Sequence, residues 1–223
     1  MTARYFALLS LLLLFMAGPL PLKWSEAATL SPARHLKNRD HVKDKALPPI
    51  PEALADEPAV LVAWKSRYRM GLYSKGQLVK TFVIGLGQTP VGHKVRQGDN
   101  RTPEGDYRVI QKTSGPFRGR NGRYLGKAWM RLNYPNVQDA ESGFARGLIS
   151  EAEKEAIIAA NRDGREPPKS TKLGGGIGIH GWWGRWPGED RQDLTWGCLT
   201  LQNRQMEELF RRIEVGTRVM IYP

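Results

Sequence analysis

Two residues carry the reactive chemistry of this sequence. Cys198 is the only cysteine, and His180 is one of four histidines. Each sits in a glycine-bracketed turn, within Gly178-Ile179-His180-Gly181 and Gly197-Cys198-Leu199, inside one stretch from Gly174 to Asn203. A thiol attacks as its thiolate, which is scarce at neutral pH unless a neighbouring base takes the proton. Imidazole is suited to that task, with a third group holding the ring in the required tautomer. The two residues are too far apart in sequence to meet along one helix, so the intervening loop must fold back. Gly197 frees the backbone to turn tightly, which lets the Gly197 and Cys198 amides face a developing oxyanion. The connecting loop carries Trp182, Trp183, Trp186 and Trp196 with Arg185 and Arg191. Trp182, Trp183, Arg185, Arg191 and Trp196 are the expected rim for a peptide or sugar-peptide, since aromatic faces grip and arginine pairs with carboxylates.

Plainer explanations exist for the same residues. Free cysteine is among the most buried residue types, so Cys198 and His180 also fit as core residues. The tryptophans fit as core in the same way. Half a zinc site is a third alternative, but no CxxC or HExxH spacing accompanies the pair, and neither a metal nor a cofactor is expected. The run Gly174-Gly175-Gly176 reads as a turn or bulge; no Lys-Ser/Thr follows to make it a phosphate cradle.

Elements of regular structure must position these turns. Strand-like text begins at Ala59 and runs to Ser66. Residues 69–87 read as a hairpin turning at Ser74-Lys75-Gly76, with Gly85 and Gly87 closing its second strand. Asn100 to Gly105 is a polar turn in which Pro103 fixes φ, followed by an alternating strand from Tyr107 to Lys112. Trp129 to Leu132 is a short strand ending in the turn Asn133-Tyr134-Pro135-Asn136. Ser150 and Glu153 form a capping box that starts a helix running to Asn161. A second helix starts at Asn203 and spans Arg204 to Arg212, burying Met206, Leu209, Phe210 and Ile213 at helical spacing. Gly216 to Tyr222 is a closing strand. Many short strands with inserted helices predict a mainly β domain, closed as a mixed sandwich or barrel.

Composition bounds the rest. The 223 residues are 40% hydrophobic and include seven tryptophans, enough for a real core. A net charge of +12 points to an anionic partner. No basic run with interleaved aromatics appears, which argues against nucleic acid. One cysteine excludes an intramolecular disulfide. Arg4, the apolar run Tyr5 to Ala17, the breakers Gly18, Pro19 and Pro21, and the small residues Ser25, Ala27 and Ala28 make residues 1–28 a secretory signal. A retained N-terminal anchor is the alternative, and a membrane is a partner only in that case. Either way the expected location is the periplasm or cell surface. Residues 29–56, charged and broken by Pro48, Pro49 and Pro51, read as a linker or arm in which His35 and His41 are solvated surface groups.

Residues 57–223 then carry a family likeness. Ile179-His180-Gly181, a loop, and Thr195-Trp196-Gly197-Cys198-Leu199 resemble the catalytic signature of the L,D-transpeptidase catalytic domain. Thr102-Pro103-Glu104-Gly105-Asp106-Tyr107 is similar to that family's T-P-x-G-x-Y/F turn. Leu132-Asn133-Tyr134-Pro135-Asn136 and Leu173-Gly174-Gly175 are similar to its murein-peptide subgroup. The resemblance implies an L,D-transpeptidase-like mixed β fold and an acyl-enzyme on Cys198 formed from a peptidoglycan stem peptide. It makes His180 the base, Gly197 and Cys198 the oxyanion donors, and Thr195 the hydroxyl flanking the turn. Two positions depart from the pattern: Trp196 stands where histidine is usual, and Thr200 where asparagine or arginine is usual. His93 is left outside the catalytic set. A hydrolase using the same dyad, including one that releases a wall-attached lipoprotein, and a non-catalytic wall-binding module are the competing readings.

Overall fold

Five consecutive apolar residues, Val60–Trp64, form β1, and all five are buried. Strand alternation sends them to two different places. Leu61 and Ala63 enter the main core, while Val60, Val62 and Trp64 pack on the other face with Leu54 and Tyr73. In this computed structural model the described residues are 47–119, 122–188 and 191–223. The expected signal segment and most of the arm, with His35 and His41, lie outside them. The described end of the arm packs: Leu47 and Ile50 join the second cluster, and Tyr73 donates its hydroxyl to the Pro48 carbonyl at 3.0 Å.

The chain continues through β2 (Arg69–Ser74) and β3 (Gln77–Val83), joined by a turn in which Lys75 and Gly76 both have positive φ. That is the turn geometry whose twist matches a hairpin. β4 (Leu86–Gly87) and the long β5 (Gly105–Ser114) precede β6 (Ala128–Leu132). Two helices follow, α1 (Val137–Ala145) and α2 (Glu151–Arg162), then β7 (Gly178–Trp182), β8 (Asp193–Thr195) and β9 (Leu199–Gln202). α3 (Asn203–Arg212) and β10 (Arg218–Tyr222) close the chain.

Eight strands form one mixed sheet in the order β3-β2-β1-β10-β5-β6-β7-β9. The pairs β1/β10 and β7/β9 are parallel and the others antiparallel. The sheet nearly closes on itself. Just past β3, Gly85 exchanges two backbone hydrogen bonds with Thr200 of β9, at 2.8 and 3.0 Å, and β4 pairs with β8 alongside. The fold is therefore mainly β and nearly barrel-shaped, as the strand count predicts, with three α-helices among the described residues where two were expected.

The turn of the hairpin and the capping box of α2 lie where the sequence puts them, and α3 buries Met206, Leu209 and Ile213 as expected while Phe210 is only partly buried. α1 is an addition. It begins where only a turn was expected, at Asn136, which accepts a hydrogen bond from the Asp139 amide while Asp139 accepts one from the Asn136 amide. This is a capping box built from Asn and Asp, and the helix it starts has too few apolar residues to show a helical period.

Candidate active site

Three neighbouring strands build the site by register. Trp129 of β6 lies opposite His180 of β7, and Arg131 lies opposite Gly178. His180 in turn lies opposite Thr200 of β9. Met130, Ile179 and Leu199 point into the main core, so their alternate neighbours Trp129, Arg131, Gly178, His180 and Thr200 share the other face. Cys198 immediately precedes Leu199, and its sulfur lies beside the Gly178 amide. The candidate base thus lies within β7 and the candidate nucleophile at the residue leading into β9, its parallel neighbour. Gly178 between Arg131 and Cys198 presents no side chain, and the Trp129 ring fills the place where one would stand.

Both groups are held neutral. Cys198 is 8% exposed, and its thiol donates to the Gly176 carbonyl at 3.7 Å. Burial pushes the thiol up to about 11, against the opposing pull of a hydrogen bond from Gly178 and the charges of Lys94 and Arg131. His180 is fully buried, and burial drives its ring down to about 4 despite the bond to Gly181. Its Nδ1 lies 2.8 Å from the Gly181 carbonyl, which only accepts, so Nδ1 carries the proton. Nε2 is buried without a hydrogen-bond partner. The ring therefore presents a bare lone pair, the form that takes a proton. The third group that orients it is a backbone carbonyl rather than a carboxylate.

The turn carrying Cys198 is locked from inside. Thr195 Oγ1 donates to the Cys198 carbonyl at 2.7 Å and accepts from the Gly197 amide at 3.1 Å. The Gly197 amide is thus taken by Thr195 rather than aimed at a ligand, and an oxyanion at this turn falls to the Cys198 amide. Gly197 has φ +133°, and a Cβ there would stand 2.7 Å from the Arg101 carbonyl, so only glycine fits. The loop behind it is clamped at two points. Lys65, itself buried, donates to the Gly92 and Thr102 carbonyls and to Glu104 at 2.6, 3.0 and 2.7 Å. Asp99 accepts from Lys94 and from the amides of Val95, Arg96 and Arg101. Burial raises that carboxyl, but these bonds outweigh it and hold it below the usual carboxylate range.

Aromatic rings wall the site. Tyr124 packs on His180 with ring centroids 4.9 Å apart and stacks on Trp196 at 5.0 Å and 17°. Its hydroxyl is buried beside Thr195, Trp196 and Cys198 without a hydrogen bond of ordinary geometry. From Tyr124 the rings continue through Trp182 at 6.1 Å to Trp183 at 6.0 Å from Trp182, where Arg123 lies over the last ring. Trp196 and Trp183 are 58% and 50% exposed, so their faces are open to a ligand.

Of the expected rim, Trp182, Trp183 and Trp196 join this wall. The arginines do not reach the dyad. Arg191 is held by Asp193 at 2.5 Å, and Arg185 is exposed and offers its carbonyl to Trp182 Nε1. Thr200, the second departure from the pattern, donates to the His180 carbonyl at 3.0 Å and so ties β9 to β7. His93 stands apart, accepting from the Glu104 amide and facing Asp139 at 3.0 Å. Sequence reasoning missed Tyr124, Trp129 and Arg131. The alternation Trp129-Met130-Arg131 was a usable signal for the last two. Tyr124 lies in a glycine-rich connection with no period to read.

A family model described as the L,D-transpeptidase catalytic domain matches residues 58–221. No curated protein matches the chain in sequence. Among solved structures, a variant of the helical cell shape determining protein Pgp2 from Campylobacter jejuni aligns at 23% identity and TM-score 0.50, over 74% of this chain and 47% of that one. Bd1075 from Bdellovibrio bacteriovorus aligns at 20% identity and TM-score 0.48, over 78% and 51%. An L,D-transpeptidase from Xylanimonas cellulosilytica aligns at 16% identity and TM-score 0.45, over 79% and 65%. The chain spans about half the length of the first two. At these identities the likeness concerns the fold.

Proposed function

Because the chain belongs to the L,D-transpeptidase catalytic-domain family, we propose that it is a cysteine acyltransferase acting on peptidoglycan stem peptides in the periplasm or at the cell surface. The observation that carries this reading is the unpartnered Nε2 lone pair of His180 beneath the Tyr124 ring, whose hydroxyl lies beside Cys198. On substrate binding the thiol turns from the Gly176 carbonyl and passes its proton to Nε2. The thiolate attacks the carbonyl of an L-centre in the stem, and the oxyanion forms beside the Cys198 amide. Collapse breaks the peptide bond, and the leaving amine takes the proton back from His180. A thioester remains on Cys198. An acceptor amine then attacks it, giving a proton to Nε2, and the departing sulfur recovers that proton as the new amide forms. Trp182, Trp183 and Trp196 grip the donor.

Aromatic rings and burial around the sulfur favour an amine over water as acceptor, since a site that excludes solvent suppresses hydrolysis of the thioester. The test is incubation with a defined tetrapeptide muropeptide, followed by mass. Cross-linked dimers are the expected product, and Cys198→Ala abolishes both the dimer and covalent labelling by a carbapenem-type acyl donor. Shortened peptides in place of dimers establish the hydrolase instead. An alanine variant that retains activity overturns both.

A further inference from the structure

Three elements meet at Gly181: the end of β7, the start of α3 and the segment entering β6. Asn203 is the first residue of α3, yet the helix has no side-chain cap, and the asparagine is turned backwards. Its Oδ1 accepts from the Lys127 amide at 2.9 Å, and its Nδ2 donates to the Trp182 carbonyl at 2.9 Å. The fit leaves no slack. A Cβ on Gly181 would lie 2.2 Å from Asn203 Oδ1, and a Cβ on Gly126 would lie 2.3 Å from the same oxygen and 2.6 Å from the Gly181 carbonyl. That carbonyl is the acceptor that fixes the His180 tautomer.

We infer that Asn203 is a positioning residue for His180. The N-cap of α3 is Gln202, so the Asn203 side chain stands one position past the place from which asparagine caps a helix. Its side chain points back instead and pins the backbone at residues 181–182. With that backbone pinned, the Gly181 carbonyl stays in place for Nδ1–H, and Nε2 stays bare. The Lys127 bond brings a second constraint, because residue 127 follows closely on Tyr124, whose ring packs against His180. Asn203 thus sets the base and one wall of its cage from a single amide. The kinetic part of this inference rests on the acyl-transfer reading; the part concerning the ring does not.

The experiment compares the full chain with Asn203→Asp and Asn203→Leu. Aspartate keeps the acceptor for Lys127 and loses the donor to Trp182 at nearly unchanged size, so it reads the β7 contact alone even if the leucine variant fails to fold. Long-range ¹H–¹⁵N correlation on the His180 ring reports the tautomer without any substrate. The expected wild-type spectrum is that of an Nδ1–H ring, with Asn203→Asp giving a mixture of tautomers. In the transpeptidation assay kcat falls about tenfold to a hundredfold while KM stays within about twofold. An Asn203→Asp ring with the wild-type tautomer overturns the inference, whether activity is kept or is lost together with thermal stability. A wild-type protein without transferase activity removes the acyl-transfer reading and leaves the spectra to decide on Asn203.

Discussion

His180 and Cys198 sit at rest as a neutral pair because burial penalises the charged form of each, and two consequences can be measured. The folded protein holds the His180 ring near 4, against about 6.5 for an exposed histidine. The unfolded chain therefore binds this proton first as pH falls. The stabilising contribution is fully present above pH 6.5 and is lost as pH drops toward 4, at a cost of about 3 kcal/mol. Denaturant titrations at pH 7 and pH 4 are expected to show His180→Gln losing about that much less than wild type between the two. The sulfur behaves in the opposite sense. With the thiol raised to about 11, alkylation by iodoacetamide is slower than that of an exposed cysteine at pH 7 and accelerates through pH 9 and above, followed by intact mass. Inertness to small electrophiles at neutral pH thus does not separate an enzyme from a wall-binding module; acylation by a substrate-like donor does. Cys198 and His180 stood out as candidates because the cysteine is alone in type and both are bracketed by glycine. Tyr124 did not, since its importance lies in contacts with residues 180 and 196 that only the fold creates.

At the scale of elements, the T-P-E-G turn supports the catalytic turn from behind. Lys65 holds it through the Thr102 carbonyl and Glu104 and ties it to the Gly92 carbonyl, and burial lowers the lysine against the pull of its glutamate partner. Removing one member of a buried pair strands the other. Lys65→Met is expected to cost about 3 kcal/mol in urea denaturation, and Lys65→Met with Glu104→Gln to recover part of that loss. The sequence showed this turn as a run of polar residues around Pro103, but not its lysine, which sits in a separate 3-10 turn after β1. Elements with a strong period or cap were readable in the same way: α2 through Ser150 and Glu153, α3 through Met206, Leu209 and Ile213. α1 escaped because it is held by Asn136, Asp139 and packing onto α2, a relation between segments that no local pattern records.

Across the whole molecule, the sheet nearly joins its own edges at Gly85 and Thr200. A Cβ on Gly85 would stand 2.7 Å from Thr200 Cγ2, so the seam tolerates no added atom without movement. Gly85→Ala is expected to lose about 2 kcal/mol, seen as a fall of roughly 4–8 °C in Tm. Adding Thr200→Ser, which removes the crowded methyl and keeps the hydroxyl bonded to His180, should restore most of it. Alternation and turn residues predicted many strands and a closed β architecture, whereas strand order depends on pairings such as β1 with β10 that lie at opposite ends of the domain. The β7/β9 arrangement reaches further. His180 sits in β7 and Cys198 at the head of its parallel neighbour β9, while the tryptophan-rich excursion between them departs from one strand and returns to the other. On the acyl-transfer reading, what is gripped and what reacts would therefore be set by different stretches of chain. Swapping that excursion for one of another length and composition should redirect selectivity while the chemistry beneath it endures.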